Sequence, residues 1–340
     1  MANAVGARVW RPSAPDRIEA DLTSLWRDLA REGPISRAVM SNLVVYCRCP
    51  ANRDVDLASP PEAVPIDSVA SQHPARVILL HHDPGAADGQ PLLGTHVGIL
   101  IVGGPDARYG VEQIAIRSAC SEAALPSIVR RLMLGDVPTA VWWTEDISGA
   151  RPLVPLVTMG RLLVYDSRCW RDVAAAVRAL TPLLNGSTPA SALRASAGRP
   201  ELADVNWRRL TPVRHALAHA IASREAAPEA RWTSIRIRHR PGEAALAWLL
   251  AGWLEGATIA VDEDAHLGDD TLIASFDDDL QLRLGAHRVS VDDAHGPAPF
   301  SMAVQHEDEA QAIAAELRVL AHDAVFHDAL GALARRFGAA

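Results

Sequence analysis

Lysine is absent from this chain of 340 residues, and all 33 of its basic residues are arginine. A Walker-type phosphate-binding loop needs a lysine that reaches the phosphates, and Schiff-base enzymes need a lysine amine. The sequence therefore excludes both classes of protein. Long apolar runs are also absent, since the longest candidate, Ala244–Leu254, is far shorter than the ~20 residues that span a bilayer. We therefore expect no membrane partner.

Cysteine is scarce, and the chain has only Cys47, Cys49, Cys120 and Cys169. Cys47 and Cys49 are two residues apart in a predicted strand, so both thiols point to one face and could bind a metal or oxidise. There is no Cys-x-x-Cys motif and no second pair at zinc-finger spacing. The sequence therefore favours reduced structural thiols and predicts no metal site.

A basic excess is missing as well, and we expect no export signal. The formal net charge is −8 at pH 7, whereas a general nucleic-acid binder needs basic groups for phosphate contacts, so no nucleic-acid partner is expected. Residues 1–10 lack a charged segment followed by an apolar one, which favours a cytoplasmic location. The composition that is present, 49% hydrophobic and 22% charged, indicates a globular protein long enough for two domains.

Segments that predict strands alternate with segments that predict helices in the first half of the chain. The predicted strands are Ala38–Cys47, Arg76–His81, Val97–Val102, Val111–Arg117, Thr139–Trp143 and Leu162–Asp166. The predicted helices are Asp16–Arg31, Glu122–Leu134 and Arg171–Leu184, with a short helix near Pro65–Ser71. Near-continuously apolar strands that alternate with helices indicate an α/β (α+β layered) domain.

The segment 186–200 is rich in Ser, Ala, Gly and Pro and has little apolar periodicity, so it is predicted to be a linker. It separates an N-terminal α/β sheet-and-helix domain, residues 1–185, from a smaller mixed α/β C-terminal domain, residues 201–340. The elements predicted in the second domain are a helix at Thr211–Ser223, a strand at Arg231–His239, a helix at Glu243–Leu254, four or five short strands between Ala257 and Val304, and two closing helices.

The most informative stretch of the chain surrounds the predicted start of the helix at Thr211. Its hydroxyl is expected to cap the helix, and the proline that follows suits the first helical position. Arg208 and Arg209 stand just upstream beside Trp207, and Arg214 falls in the first turn, where the helix dipole favours anions. Three guanidinium groups and an indole suit a bound anion or an acidic partner surface. The alternative is a tryptophan buried in the core with solvated arginines around it.

A second informative feature is the pair of adjacent tryptophans, Trp142 and Trp143, at the end of a predicted strand. Neighbouring side chains of a strand point to opposite faces. One ring is therefore expected in the core, and the other is expected to reach the end surface of the sheet as a protein-contact anchor. Burial of both rings is the alternative that general burial statistics leave open.

No complete catalytic or metal-binding set is visible. His215 and His219 share a helix face, but the glutamate that a zinc protease has directly after its first histidine is Ala216 here. Asp166-Ser167 ends a strand without a nucleophile elbow around the serine, and no glycine-rich loop fits a dinucleotide site. Whether His73, His81, His82 and His96 converge is left open. We therefore predict no catalytic residues, no metal and no cofactor-binding residues.

Several motifs in a fixed order resemble one known family. They are Asn42-Leu43-Val44-Val45-Tyr46, His73-Pro74-Ala75-Arg76-Val77, Glu112-Gln113-Ile114, Gly135-Asp136-Val137-Pro138 leading into Trp142-Trp143, Arg161 with Asp166-Ser167, Asp204 to Arg214, and Ala251-Gly252-Trp253-Leu254. Their order and spacing are similar to those of the glucose-6-phosphate dehydrogenase assembly proteins, OpcA. The family usually has a tryptophan where this chain has Val213, and the region after Ala257 is less distinctive.

The resemblance implies a non-catalytic effector that binds glucose-6-phosphate dehydrogenase and promotes its assembled, active state in the oxidative pentose phosphate pathway. It implies no cofactor of its own, since NADP belongs to the partner enzyme. The hypothesis places the partner contact on Trp142, Trp143, Trp207, Arg208, Arg209, Thr211 and Arg214. The alternative is an α/β enzyme or sensor that holds a sugar phosphate with Arg208, Arg209 and Arg214.

Overall fold

The structure is a computed structural model that describes residues 5–48, 64–83, 92–104, 107–149, 151–185, 199–223, 232–277, 279–295 and 298–338. Most of the predicted linker, residues 186–198, lies outside the described residues, as does Cys49. The predicted α/β layered fold is confirmed, because two β-sheets are each packed against helices.

The first sheet has nine strands in the described part of the chain. They are β1 (Val5–Ser13), β2 (Ser36–Arg37), β3 (Ser41–Arg48), β4 (Ala75–His82), β5 (Leu93–Gly104), β6 (Ala107–Ser118), β7 (Thr139–Trp143), β8 (Leu162–Tyr165) and β9 (Glu201–Asp204). Their spatial order is β1-β5-β6-β4-β3-β7-β8-β9, with β2 beside β6. The six strands from β6 to β9 along this path are mutually parallel. Counted in chain order, they follow the 3-2-1-4-5-6 arrangement of doubly wound folds.

Helices cover both faces of this sheet. The helices within the same part of the chain are α1 (Ile18–Glu32), α2 (Ile66–Gln72), α3 (Leu125–Arg130), α4 (Val154–Val157) and α5 (Val173–Asn185). The first helix is amphipathic, and its Ile18, Leu22, Leu25 and Leu29 are buried. α1, α3, α4 and α5 contribute to the core on one face, whereas α2 contributes to the core on the other.

The second sheet has six described strands in the order β11-β10-β12-β13-β14-β15. These are β10 (Ser234–His239), β11 (Thr258–Glu263), β12 (Asp270–Phe276), β13 (Leu280–Gly285), β14 (Arg288–Asp293) and β15 (Phe300–Ala303). The remaining helices are α6 (Val205–Arg208), α7 (Thr211–Ala222), α8 (Ala244–Trp253), α9 (Glu309–Val319) and α10 (Ala324–Arg336). The apolar sides of α7, α8 and α10 share one core with this sheet.

The two parts of the chain are interleaved. Strand β9 pairs in parallel with β8, from Leu162 opposite Glu201 to Tyr165 opposite Asp204. Helix α9, from near the end of the chain, buries Ile313 in the core on the α2 face of the first sheet. Residues 201–204 and 309–319 therefore belong with the first sheet, which the boundary predicted at 186–200 did not anticipate. The division into two domains at residues 186–200 stays a prediction.

Several elements of the structure differ from those predicted, among them the short β2, β9, α4 and α6, which were not predicted. No local pattern in the sequence indicated β1, which forms because it pairs antiparallel with β5 along a sheet edge. The helix predicted at Glu122–Leu134 is a 3-10 turn at Glu122–Ala124 followed by α3, which ends at Arg130. None of the described helices combines the length and apolarity that a membrane crossing requires.

Candidate functional site

Trp207 lies in α6, at the junction between the two sheets. Its side chain is only 4% exposed, and its indole Nε1–H donates a 2.9 Å hydrogen bond to the carboxylate of Asp323. Its ring packs against the ring of Phe326 in α10, with the two ring centres 5.2 Å apart. The ring therefore joins α6 to α10 and is almost wholly buried, whereas its part in a partner contact stays a prediction.

Arg214 and Thr211 complete the same junction. The guanidinium carbon of Arg214 lies 4.2 Å from the centre of the Trp207 ring, and its Nη2 donates to the Thr211 hydroxyl at 3.1 Å. Burial lowers the pKa of Arg214. The predicted capping role of Thr211 is wrong, because α7 begins at Thr211 itself and its N-cap, Leu210, makes no side-chain capping bond.

Arg208 and Arg209 are both paired with carboxylates. Arg208 donates to Glu307 at 2.7 and 2.9 Å and to Glu316 at 2.7 Å. Its hydrogen bonds to Glu307 are the main reason why its pKa is raised. Arg209 forms a two-pronged pair with Glu243, at 2.7 and 2.9 Å.

The three predicted arginines are therefore held by groups of the chain itself: two by carboxylates and one by an indole ring and a hydroxyl. A phosphate bound there would have to displace carboxylates that already match the guanidinium groups. This pairing argues against the alternative hypothesis of a sugar-phosphate site at this place. We call these residues the junction cluster: Trp207, Arg208, Arg209, Thr211 and Arg214.

Both tryptophans of β7 are buried. Trp142 is 2% exposed and belongs to the core on the α2 face, whereas Trp143 is 1% exposed and belongs to the core on the opposite face. Trp143 stacks on Tyr46 with ring centres 4.1 Å apart and planes 7° apart. The prediction of opposite faces is confirmed, but the prediction that one ring reaches the surface is wrong.

A buried carboxylate joins the ends of β8 and β9. Asp204 caps α6 by accepting from the backbone N–H of Asn206 at 2.9 Å, and it also accepts from the N–H of Ser167 at 3.0 Å. Burial, aided by the charge of Asp166, raises the pKa of Asp204 to about 7. The Ser167 hydroxyl accepts from the Asn206 amide at 3.0 Å, so the polar groups of this motif hold two strand ends together.

Doubly wound folds bind ligands where the strand order reverses, at the carboxyl ends of the strands. Here that point lies between β3 and β7, where the Thr144 hydroxyl donates to the Tyr46 carbonyl at 2.9 Å. A dinucleotide site needs a glycine-rich turn after the first strand, so that the backbone can approach the phosphates. Residues 47–65 contain no glycine at all. The sequence that follows β3 therefore lacks the glycine-rich motif of a dinucleotide site.

The four histidines whose convergence the sequence left open do not all lie together in the structure. His73 bonds Ser41 at 2.9 Å beside the start of β3, while His81 and His82 lie at the far end of β4. Burial lowers the pKa of His73 and of His81 to about 4, so both rings are neutral near pH 7. Within the described ranges, no group of three metal-ligating side chains is close enough to hold an ion.

A buried polar network lies at the amino edge of the first sheet, where its parallel strands begin. Asn42 donates to the Leu134 carbonyl and accepts from the Leu134 N–H, both at 2.9 Å, and it also donates to the Thr139 hydroxyl at 3.1 Å. One fully buried amide therefore fixes the backbone of the loop that leads into β7.

Arg76 and Glu112 form the centre of this network. Arg76 Nε donates to Glu112 at 3.0 Å, its Nη1 to the Leu132 carbonyl at 2.9 Å and its Nη2 to Glu19 at 2.8 Å. Glu112 also accepts from the Trp26 indole at 2.7 Å. Glu112 also accepts a 2.9 Å hydrogen bond from Arg37, whose side chain is half-exposed.

Asn42, Arg76 and Glu112 lie in motifs of the family resemblance, but the sequence did not identify a site here. We call the whole set of residues the amino-edge network: Glu19, Trp26, Arg37, Asn42, Arg76 and Glu112. The signal that could have revealed it is the presence of Asn42, Arg76 and Glu112 in otherwise apolar strands, because a buried strand keeps a polar side chain only when it is paired.

Fold and site together define a doubly wound α/β protein with a second sheet, in which the arginines of the junction cluster are held by other groups of the chain. Residues 66–182 match the family described as the N-terminal domain of the glucose-6-phosphate dehydrogenase subunit. Residues 200–330 match the family described as its C-terminal domain. These matches cover well over half of the chain, which therefore belongs to the OpcA family of glucose-6-phosphate dehydrogenase assembly proteins.

Similarity beyond this family is weak. No curated protein matches the chain. Among solved structures, the chain is similar to a crystal structure of the dehydrogenase MviM from Clostridium difficile, determined at 1.63 Å. The alignment has 7% identity and a TM-score of 0.40, and it covers 88% of this chain and 97% of the other.

Proposed function

We propose that this chain is a non-catalytic effector that binds glucose-6-phosphate dehydrogenase and favours its assembled, active state. The observation that carries the proposal is the match of both assembly-protein domains, in order, along one chain. The enzyme would act in the oxidative pentose phosphate pathway of the cytoplasm, and NADP would be its cofactor, with none bound by the effector.

The site geometry supports this proposal in two ways. The absence of glycine from the sequence that follows β3 argues against a dinucleotide enzyme. The guanidinium groups of the junction cluster are held internally, which argues against a sugar-phosphate enzyme that uses them. We propose that these arginines position α6 and α7 on the C-terminal helices, so that the partner meets a rigid surface.

An effector of this kind acts through differential affinity. It shifts the dehydrogenase towards its active state only by the ratio of its affinities for the active and inactive states. A tenfold ratio supplies about 1.4 kcal/mol to the assembly equilibrium. No chemical step on the effector is needed.

Analytical size-exclusion chromatography tests the assembly part of the proposal. The same organism's glucose-6-phosphate dehydrogenase is run alone and with this chain, near the concentration at which the enzyme dissociates. We expect the chain to co-elute with the enzyme and to move it to its larger assembled form. Separate elution of the two proteins, with an unchanged enzyme profile, would contradict the proposal.

A further inference from the structure

A cleft opens between helix α1 and the residues that follow it. Its volume is about 410 Å³, within the range of roughly 300–1,000 Å³ that is typical of small-molecule sites. Its lining combines apolar side chains with a few charged ones, which is the usual composition of a ligand site. We call it the α1 cleft, and its lining includes Glu19, Leu22, Trp26, Ile35, Arg37 and Glu112.

The charged groups at the cleft belong to a chain of alternating sign within the amino-edge network. Arg76 donates to Glu19 at 2.8 Å and to Glu112 at 3.0 Å, and Arg37 donates to Glu112 at 2.9 Å. The inner pair, Arg76 and Glu112, is buried, with 3% of each side chain exposed, and its two charges neutralise each other. An acidic group and a basic group therefore remain at the two ends of the chain of charges.

The two end groups are open to solvent. The side chain of Glu19 is 61% exposed and that of Arg37 is 47% exposed. In the part of the chain that the structure describes, the Glu19 carboxylate accepts one hydrogen bond, on Oε2, and the Arg37 guanidinium donates one, from Nη2. One carboxylate oxygen and most of the guanidinium N–H groups are thus available to a ligand, unlike the groups of the junction cluster.

The surroundings of these two groups are fixed before any ligand binds. Arg37 lies in β2, which pairs in parallel with β6 at Gly110. The Trp26 indole donates to Glu112 at 2.7 Å, and its ring lies so close to Gly110 that a Cβ there would be 2.5 Å from it. A site ordered in advance loses little conformational entropy when a ligand binds.

We infer that the α1 cleft binds a small zwitterion with an apolar body, namely an α-amino acid with an apolar side chain. The two acidic and two basic groups give the site no net charge, so it matches a ligand that is neutral overall but carries separated charges. Glu19 accepts from the ammonium group of the ligand, and Arg37 donates to its carboxylate. Leu22, Trp26 and Ile35 surround its apolar side chain. This binding does not depend on the proposed function.

Isothermal titration calorimetry of the full chain tests the inference. The probes are the L-forms of valine, leucine, isoleucine, methionine, phenylalanine and tryptophan, and we expect at least one to bind with a Kd below about 1 mM. The tightest binder is then compared with two analogues, one without the amino group and one without the carboxylate. We expect each analogue to bind at least about tenfold more weakly, because each loses charge-assisted hydrogen bonds.

Substitutions in the chain test the two end groups one at a time. Arg37→Gln and Glu19→Gln remove the open charges, while Arg31→Gln and Asp28→Asn are the matched controls, because they remove an exposed ion pair of α1 that lies outside the cleft. We expect each cleft variant to weaken binding at least about tenfold and each control to stay within about twofold of the parent chain. The melting temperature of each variant shows that it is folded during the titration.

Several results would overturn the inference. One is that none of the six amino acids binds, and another is that an analogue with a single charged group binds as tightly as the amino acid itself. Unchanged affinity in either cleft variant, or equal weakening by a control, would also contradict it. None of these results bears on the proposed function, which chromatography with the dehydrogenase tests separately.

Discussion

Arg209 illustrates, at the scale of single residues, how a cationic side chain can serve the fold. Its two hydrogen bonds to Glu243 and one to Asn206, at 2.8 Å, tie the end of α6 to the start of α8. A half-buried, two-pronged pair of this kind has a larger coupling energy than an exposed ion pair.

A double-mutant cycle on Arg209→Ala and Glu243→Ala measures this coupling. We expect a coupling energy of about 1 kcal/mol or more in the free energy of urea unfolding, because each partner left alone is incompletely paired.

Inorganic phosphate should not raise the melting temperature of the parent chain beyond a general salt effect. A specific rise that Arg209→Ala abolishes would restore the sugar-phosphate hypothesis.

Asp204 makes stability depend on pH. Its folded-state pKa of about 7 exceeds the ordinary 3.8, so the folded chain binds this proton more tightly than the unfolded chain does. The contribution of this group to stability therefore falls as pH rises from about 4 to about 7. Asp204→Asn keeps an oxygen for the two backbone N–H donors and removes the charge.

We therefore expect the stability of Asp204→Asn relative to the parent chain to increase by roughly 2–4 kcal/mol between pH 4 and pH 8. Urea unfolding of both chains at the two pH values measures this difference, in which the other carboxylates cancel. A difference that is independent of pH would show that Asp204 is ionised throughout.

The junction cluster shows what sequence can reveal about individual residues. Sequence singled out Trp207 and its arginines, but their partners lie up to 116 residues away along the chain. Local spacing carries no information about such pairs, so the choice between a ligand site and an internal junction depended on the fold. The same limit applies to Trp142, because burial at a strand end depends on what covers it.

At the scale of elements, Gly252 sets the distance between α8 and α10. A Cβ at this position would lie 2.5 Å from the Ala329 carbonyl oxygen and 2.8 Å from the Leu333 side chain. Gly331, on α10, has only the end of Arg335 near its missing Cβ, at 3.7 Å. Replacement by alanine therefore adds the same methyl group at both glycines, but only at Gly252 does that group meet a close neighbour.

We expect Gly252→Ala to destabilise the chain by about 1–3 kcal/mol, because the two helices must move apart. Gly331→Ala should stabilise it by about 0.5–1 kcal/mol, the gain of replacing glycine inside a helix. Thermal unfolding of both variants checks the pair. Destabilisation of equal size at both positions would contradict the close-packing explanation.

An element is predicted accurately when the signals that determine it lie close together in the sequence. Thr139–Trp143 is confirmed residue for residue, since a short apolar strand bounded by proline has local signals. The helix predicted to reach Leu134 stops at Arg130. The carbonyl of Leu132 and the backbone of Leu134 bind side chains of β4 and β3 instead, a competition that helical periodicity does not record.

At the scale of the whole molecule, a helix from the last part of the chain packs on the sheet that the first part forms. Helix α9 carries a capping box of Asp308 and Gln311 and covers the first sheet beside α2. One continuous core joins a face of the first sheet to the inner face of the second. Composition predicted a boundary at 186–200, but it could not predict that β9 and α9 return to the first sheet, because such long-range pairing has no local signal.

The interleaved core fits a protein that presents a fixed surface to a partner. Rigid scaffolds hold contact residues in place, and the amino-edge network fixes one loop of this scaffold with side chains from two strands. The junction cluster holds the two halves of the chain together through contacts of the same internal kind.

The measurement that tests the effector function most directly is a kinetic titration. The activity of the same organism's glucose-6-phosphate dehydrogenase is followed at a fixed, low substrate concentration while this chain is added. We expect a saturable rise in rate or a fall in the substrate KM, with saturation at a fixed ratio of the two chains. A flat titration at concentrations well above that of the enzyme would contradict the effector function.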